Sequence, residues 1–176
     1  MAKIIRVLFF IAPKNFRDEE LFDTRKVIEK NKENVKIEIA SISKGRAIGM
    51  LDGRTGIDLS IDKIKIEDYK AIIFVGGKGV FEYRLEDNKE VLGLAKKAYE
   101  KGLLVCAICA APRILANAGL LNGKKATVFK DNISIKILEK GKAIYTGNDV
   151  EIDGRIITAD GPRSANKFGQ KIVENL

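Results

Sequence analysis

The sequence predicts an α/β domain: a mostly parallel sheet with helices on both faces. Residues 4–11 form a continuous apolar run of the kind buried on both faces of a parallel sheet. Charge-rich amphipathic segments alternate with further short apolar runs, which implies β-α-β units. With 176 residues, 45% of them hydrophobic and only 3 Pro, the chain is long enough for one well-buried core and short for two. A single domain over 1–176 is the economical reading, without repeats, low-complexity tracts or a linker.

In order along the chain, residues 4–11 are a strand, and Pro13-Lys14-Asn15 leads into a helix over about 18–32. Residues 35–42 alternate as the next strand. The Gly-containing stretch from Ile42 through Leu59 predicts short strands or a hairpin outside the main sheet. Residues 71–75 read as a strand, 88–101 as a helix, 103–108 as a strand and 112–118 as a helix. After the Asn122-Gly123 turn come a short strand at 126–129, a helix at 134–139 and strand-like runs at 143–145 and 155–158. Asp153-Gly154 is a hairpin turn before the last strand, and Ser164 is placed to cap a final helix ending at Glu174.

Composition narrows the function classes. The net charge of +8 is dispersed, with Lys and Arg interleaved among Asp and Glu along the helices, as on a solvated face. With no basic block, stacking motif or nucleic-acid module, specific nucleic-acid binding is not expected. No stretch approaches a membrane span, and the apolar start is too short for a signal peptide. Two Cys three positions apart make no disulfide framework, so the expected compartment is the reducing cytoplasm. No His, no Trp, one Gln and abundant Lys, Glu and Ile resemble thermophile usage.

Cys109 carries the chemistry. The run Leu103-Leu104-Val105-Cys106-Ala107-Ile108 ends there in small residues, and Pro112 opens a helix. A strand that turns sharply into a helix exposes the side chain at the turn, and Ala107 and Ala111 let the backbone crowd around it. The N–H groups of the helix start then favour thiolate over thiol. In an open α/β sheet the ligand crevice lies at the carboxyl ends of the strands, so Glu20, Gly76-Gly77 and Cys109 should meet. The run Gly76-Gly77-Lys78-Gly79 allows close main-chain approach, and the N–H groups of Gly77 and Ala110 form an oxyanion hole. From periodicity alone, Asp18 and Glu19 are as plausible as Glu20 for the acid at this helix start.

Cys106 and Cys109 spell C-x-x-C, but residues three apart in a strand lie about 10 Å apart, beyond disulfide reach, so Cys106 is read as core packing. Without histidine or a second Cys pair no metal site is expected, and no Cys-His dyad can be built within the chain.

The stretch AICAAP followed by RILANAGLLNGKKAT resembles the DJ-1/PfpI family, whose elbow cysteine follows a strand in this way. The resemblance extends to FRDEEL, to the Gly76-Gly77 turn after AIIFV, and to VEIDGRIITADGPRSANKFGQKIVENL. It implies a flavodoxin-like three-layer sandwich within the class I glutamine amidotransferase-like superfamily, and a homo-oligomer, a dimer first. It also implies that Glu20 is a buried carboxylic acid that hydrogen-bonds the thiolate. Two departures stand out. The peptidase branch places His directly after the nucleophile, where this chain has Ala110. Relatives read T-S-R-G-P where this chain reads Thr158-Ala159-Asp160-Gly161-Pro162, so Asp160 replaces a cation near the pocket mouth.

The function this implies is glyoxalase or deglycase chemistry on a small reactive carbonyl, without cofactor or metal. Cys109 and Glu20 are the catalytic residues, with the Gly77 and Ala110 N–H groups as the oxyanion hole. The alternative is a cysteine-based oxidative-stress sensor or chaperone without turnover, and a PfpI-type peptidase ranks behind both. The apolar segments between Ile42 and Leu59 are a surface that a C2 dimer could bury.

Overall fold

The structure, a computed structural model, describes residues 3–176. The chain begins with β1 (Ile5–Phe10), β2 (Lys14–Phe16), α1 (Asp18–Asn31) and β3 (Val35–Ser41). The strands β4 (Gly45–Gly49), β5 (Arg54–Ile57), β6 (Leu59–Ser60) and β7 (Ala71–Phe74) follow. Next are α2 (Gly79–Glu82), α3 (Lys89–Glu100), β8 (Leu104–Ile108) and α4 (Pro112–Asn117). The last third holds β9 (Lys125–Ala126), α5 (Asn132–Lys140), β10 (Ile144–Tyr145), β11 (Val150–Asp153), β12 (Ile156–Ala159) and α6 (Ala165–Asn175).

The main sheet has the order β11-β12-β8-β7-β1-β3-β6, parallel throughout except for β11 against β12. Side chains alternate across it, so each central strand feeds two cores. Leu8, Phe10, Ile72, Phe74, Val105 and Ala107 pack towards α3, α4 and α5. Val7, Phe9, Ile73, Cys106 and Ile108 pack towards α1 and α6. This double burial is why the central strands read as unbroken apolar runs, and each buried Phe or Ile contributes about 1.5–3 kcal/mol.

Several expected boundaries shift, each for a physical reason. β4 and β5 form the expected hairpin outside the main sheet, joined by β2, but Leu59–Ser60 returns to the main sheet edge beside β3. The expected strand at 126–129 stops at Ala126, because the Phe129 N–H is taken by the Cys109 carbonyl (2.8 Å). Asp153-Gly154 is the hairpin turn, as expected, joining β12 to β11, a strand at Val150–Asp153 that is not among the expected elements; of the expected run at 143–145, Ile144–Tyr145 form a strand and pair with β9. Ser164 stands before α6 without capping it, since its hydroxyl donates to Asp160 Oδ1 at 2.5 Å. Asn88 caps α3 instead, accepting from the N–H groups of Glu90 and Val91.

Because β1, β7, β8 and β12 run parallel, their carboxyl ends share one edge of the sheet. The start of α1, Gly76-Gly77, Cys109 and Asp160-Gly161-Pro162 are therefore brought to one place.

Candidate active site

Cys109 adopts φ +64°, a left-handed conformation that L side chains rarely take, directly after the last residue of β8. Such a residue costs about 1–2 kcal/mol, and the surroundings hold it there. Its N–H donates to the Ala159 carbonyl (2.9 Å), its carbonyl accepts the Phe129 N–H (2.8 Å), and the Ala111 N–H returns to the Ile108 carbonyl (3.0 Å). The strand-to-helix turn expected from the small residues is present.

Gly76 is required by space. A Cβ there would lie 2.7 Å from the Cys109 Cβ, 2.7 Å from the Ile108 carbonyl and 2.8 Å from Glu20 Oε2. Gly77 has φ +109°, and a Cβ on it would collide with the Asn15 carbonyl and the Arg17 N–H. The glycine pair thus admits the elbow and the acid, and turns the Gly77 N–H towards the sulfur, where the Ala110 N–H also points.

The three acids at the start of α1 have three different tasks. Asp18 accepts the N–H groups of Leu51 (2.8 Å) and Gly53 (2.7 Å), which fastens the β4–β5 turn. Glu19 forms a two-point pair with the Arg17 guanidinium at 2.8 and 3.0 Å. Glu20 is fully buried; Oε2 accepts the Gly76 N–H (2.8 Å) and the carboxyl faces the Cys109 thiol. No N–H or hydroxyl reaches Oε1. Glu20 is thus the acid that meets the cysteine, as the register of FRDEEL implied.

Burial pushes the Glu20 carboxyl up to about 8, outweighing the thiol, the Gly76 N–H and Arg17. The thiol departs from the expectation of a helix start lowering its pKa. Burial is the largest influence on Cys109 and raises it, as does negative charge on Glu20; the Ala110 and Gly77 N–H groups act the other way. The repulsion vanishes while Glu20 holds its proton, which leaves burial opposed by the two backbone donors and the carboxyl O–H.

Around Cys109 lies a cavity of about 290 Å³ lined by Arg17, Met50, Phe81, Phe129 and Pro162 besides the elbow and glycine turn. Sequence reasoning missed these walls. Arg17 stands inside FRDEEL, and Pro162 inside the TADGP stretch, so a signal existed for both. Met50 arrives on the β4–β5 turn and Phe81 on a single helical turn, neither marked by a local pattern. Behind Phe81, the Arg113 guanidinium stacks on the ring at 4.3 Å and bonds Glu86 (3.1 Å) and Ser134 (2.9 Å) while almost fully buried. Cys106 is a second free thiol, buried inside β8, with burial pushing its pKa up.

These features define an α/β sandwich protein with a cysteine elbow backed by a buried carboxyl. Over residues 5–175 the chain matches the DJ-1/PfpI family, and it belongs to that family. It is 42% identical over 174 residues to an uncharacterized protein of Methanocaldococcus jannaschii, covering 99% of this chain and 83% of that one. It is 28% identical to a deglycase of Pyrococcus horikoshii, covering 98% and 99%. The ThiJ/PfpI domain protein of Brachyspira murdochii superposes with a TM-score of 0.91 at 31% identity, over 98% of this chain and 96% of that one. Among the described residues no helix is long and apolar enough to cross a membrane.

Proposed function

We propose that the protein converts small reactive carbonyls by glyoxalase or deglycase chemistry, using only its own side chains and main chain. The observation that carries this is the buried Glu20 carboxyl, protonated to about 8, set against an elbow thiol that also faces the Gly77 and Ala110 N–H groups. Several relatives carry the name deglycase.

With methylglyoxal, Cys109 Sγ bonds to the aldehyde carbon while Glu20 gives its proton to the carbonyl oxygen, held by the Gly77 and Ala110 N–H groups. The Glu20 carboxylate then takes the C1 proton and returns it at C2, while the O1 hydroxyl proton passes to O2 through the enediol, leaving an S-lactoyl thioester. Water hydrolyses the thioester to lactate, freeing the thiol and reprotonating Glu20. Net, methylglyoxal and water become lactate. Lactate formation is measured for wild type, Cys109→Ala and Glu20→Gln. Loss in both variants is expected, and an undiminished rate in Cys109→Ala ends the proposal.

A second reading takes Cys109 as an oxidation sensor, since a protonated Glu20 beside the sulfur would also hydrogen-bond a sulfinate. Mild peroxide titration followed by mass spectrometry separates the two, because a sensor oxidises at Cys109 without needing turnover. Peptidase chemistry ranks last, since no copy of this sequence supplies a histidine. Two free cysteines support a reducing cytoplasmic compartment. The assembly we propose is a symmetric homodimer, and a monomer mass in light scattering at micromolar concentration would count against it.

A further inference from the structure

The walls of the Cys109 cavity are almost wholly apolar, and two of them are phenylalanines that the core does not use: Phe81 is 41% exposed and Phe129 47%. Because β8 lies between β7 and β12, Phe81 stands on the β7 side of the nucleophile and Pro162 on the β12 side, where the Phe129 ring lies beside Gly161. Each wall is fixed. The Phe81 ring rests on the Arg113 guanidinium at 4.3 Å, which Glu86 and Ser134 hold in place. A guanidinium is costly to bury, and here it backs a ring that the core does not need. Phe129 gives its N–H to the Cys109 carbonyl itself (2.8 Å). Met50 is held by its N–H on the Phe16 carbonyl (2.9 Å) and by its Sδ, which accepts the Lys78 N–H (3.5 Å). Of the two cations at the rim, Arg17 is taken up by Glu19 and Lys78 is exposed.

We infer that this slot holds an apolar arm on the substrate, so that the reactive carbonyl belongs to a 2-oxoaldehyde carrying an alkyl or aryl chain. Allowing each non-hydrogen atom about 30 Å³, water's share of its liquid, methylglyoxal fills roughly half of the 290 Å³. As much space again remains beside the aldehyde, room for about four to six carbons. An apolar arm leaves water there and packs against the Phe81 and Phe129 rings, a gain that a charged arm does not have. The inference rests on Cys109 as the nucleophile of the proposed reaction, and it makes Phe81 and Phe129 the specificity-determining residues.

Two ladders of compounds test this on the full protein. In the first, Cys109 is alkylated by iodoacetamide or by its N-butyl, N-benzyl or N-(2-aminoethyl) derivative; Sγ bonds to the methylene carbon and iodide leaves. Rates read by peptide mass are divided by the same reagent's rate on the urea-unfolded chain. The butyl and benzyl reagents are expected to exceed iodoacetamide by about tenfold, which burying about two methylenes supplies, and the aminoethyl reagent is not. Phe81→Ala and Phe129→Ala should each lower the benzyl ratio by about threefold or more, whereas Ile133→Ala, at an exposed apolar residue outside the cavity, should not move it. In the second ladder, kcat/KM for 2-oxohexanal should exceed that for methylglyoxal by about tenfold. Equal ratios along the first ladder, or no advantage for 2-oxohexanal where lactate forms from methylglyoxal, overturn the apolar arm while leaving the nucleophile standing. An arm preference in alkylation with no 2-hydroxy acid formed from either aldehyde upholds the slot and overturns the proposed turnover. Failure of every reagent to modify Cys109 in the folded protein removes the nucleophile reading and the slot with it.

Discussion

Glu20→Gln should stabilise the protein at neutral pH and destabilise it in acid. In the unfolded chain this carboxyl titrates near 4.5, whereas in the fold burial raises it to about 8. Between those values the native state holds a proton that the unfolded state has released, so stability falls as pH rises through the window and is fully retained below it. At pH 7 the cost is about 3 kcal/mol, and at pH 4 it is nearly absent. Glutamine keeps the shape, accepts the Gly76 N–H and offers an N–H to the sulfur without ionising. Because protonated Glu and Gln both present a neutral donor to Cys109, the thiol's own titration cancels in the comparison. The amide brings one further N–H with no acceptor in a fully buried site, worth about 1 kcal/mol against it. The net is a gain of about 2 kcal/mol at pH 7 and a loss of about 1 kcal/mol at pH 4. At roughly 2–4 °C per kcal/mol, Tm rises by about 4–8 °C at pH 7 and drops by about 2–4 °C at pH 4. Thermal melts at both pH values read this directly. Glu19→Gln is the control with the opposite sign: the Arg17 pair holds Glu19 below its usual range, so that variant loses stability at pH 7 and little in acid. A Glu20→Gln variant less stable than wild type by the same amount at both pH values would refute a neutral buried carboxyl.

The features that could be read in the sequence are those fixed by local chemistry. Parallel strands buried on both faces must be continuous apolar runs, so β1, β7 and β8 announce themselves, and the order of strands and helices follows. The elbow is legible because crowding at a left-handed Cys109 demands small neighbours, and Gly76 because any Cβ there would meet that cysteine and Glu20. What stayed hidden depends on partners distant in sequence. Nothing local in residues 126–129 states that Phe129 gives its N–H to Cys109 instead of to a strand. Nothing at Ser164 states that Asp160 will claim its hydroxyl before the helix can. Asp18, Glu19 and Glu20 are indistinguishable by periodicity, because their roles are set by a hairpin turn, an adjacent guanidinium and an elbow that arrive from elsewhere in the chain. The thiol's raised pKa has the same origin, since burial by surrounding elements outweighs the nearby helix start.

Gly76→Ala should cost about 2 kcal/mol or more, a Tm drop of roughly 4–8 °C by calorimetry, since its Cβ has only backbone, Cys109 and Glu20 to displace. Arg113→Leu should cost about 3 kcal/mol in urea unfolding, because it strands the Glu86 and Asp131 carboxylates and removes the support behind Phe81. The pH dependence of Cys109 reactivity should split in two. Alkylation by iodoacetamide needs only thiolate and therefore keeps rising with pH, whereas lactate formation also needs the proton on Glu20, which is lost through about 8. Because the thiol titrates above Glu20, the gain in thiolate offsets the loss of that proton, and lactate formation should level off above that pH while alkylation continues to climb. If the two profiles rise together well past it, Glu20 is not the group that delivers the proton, however close to the sulfur it lies.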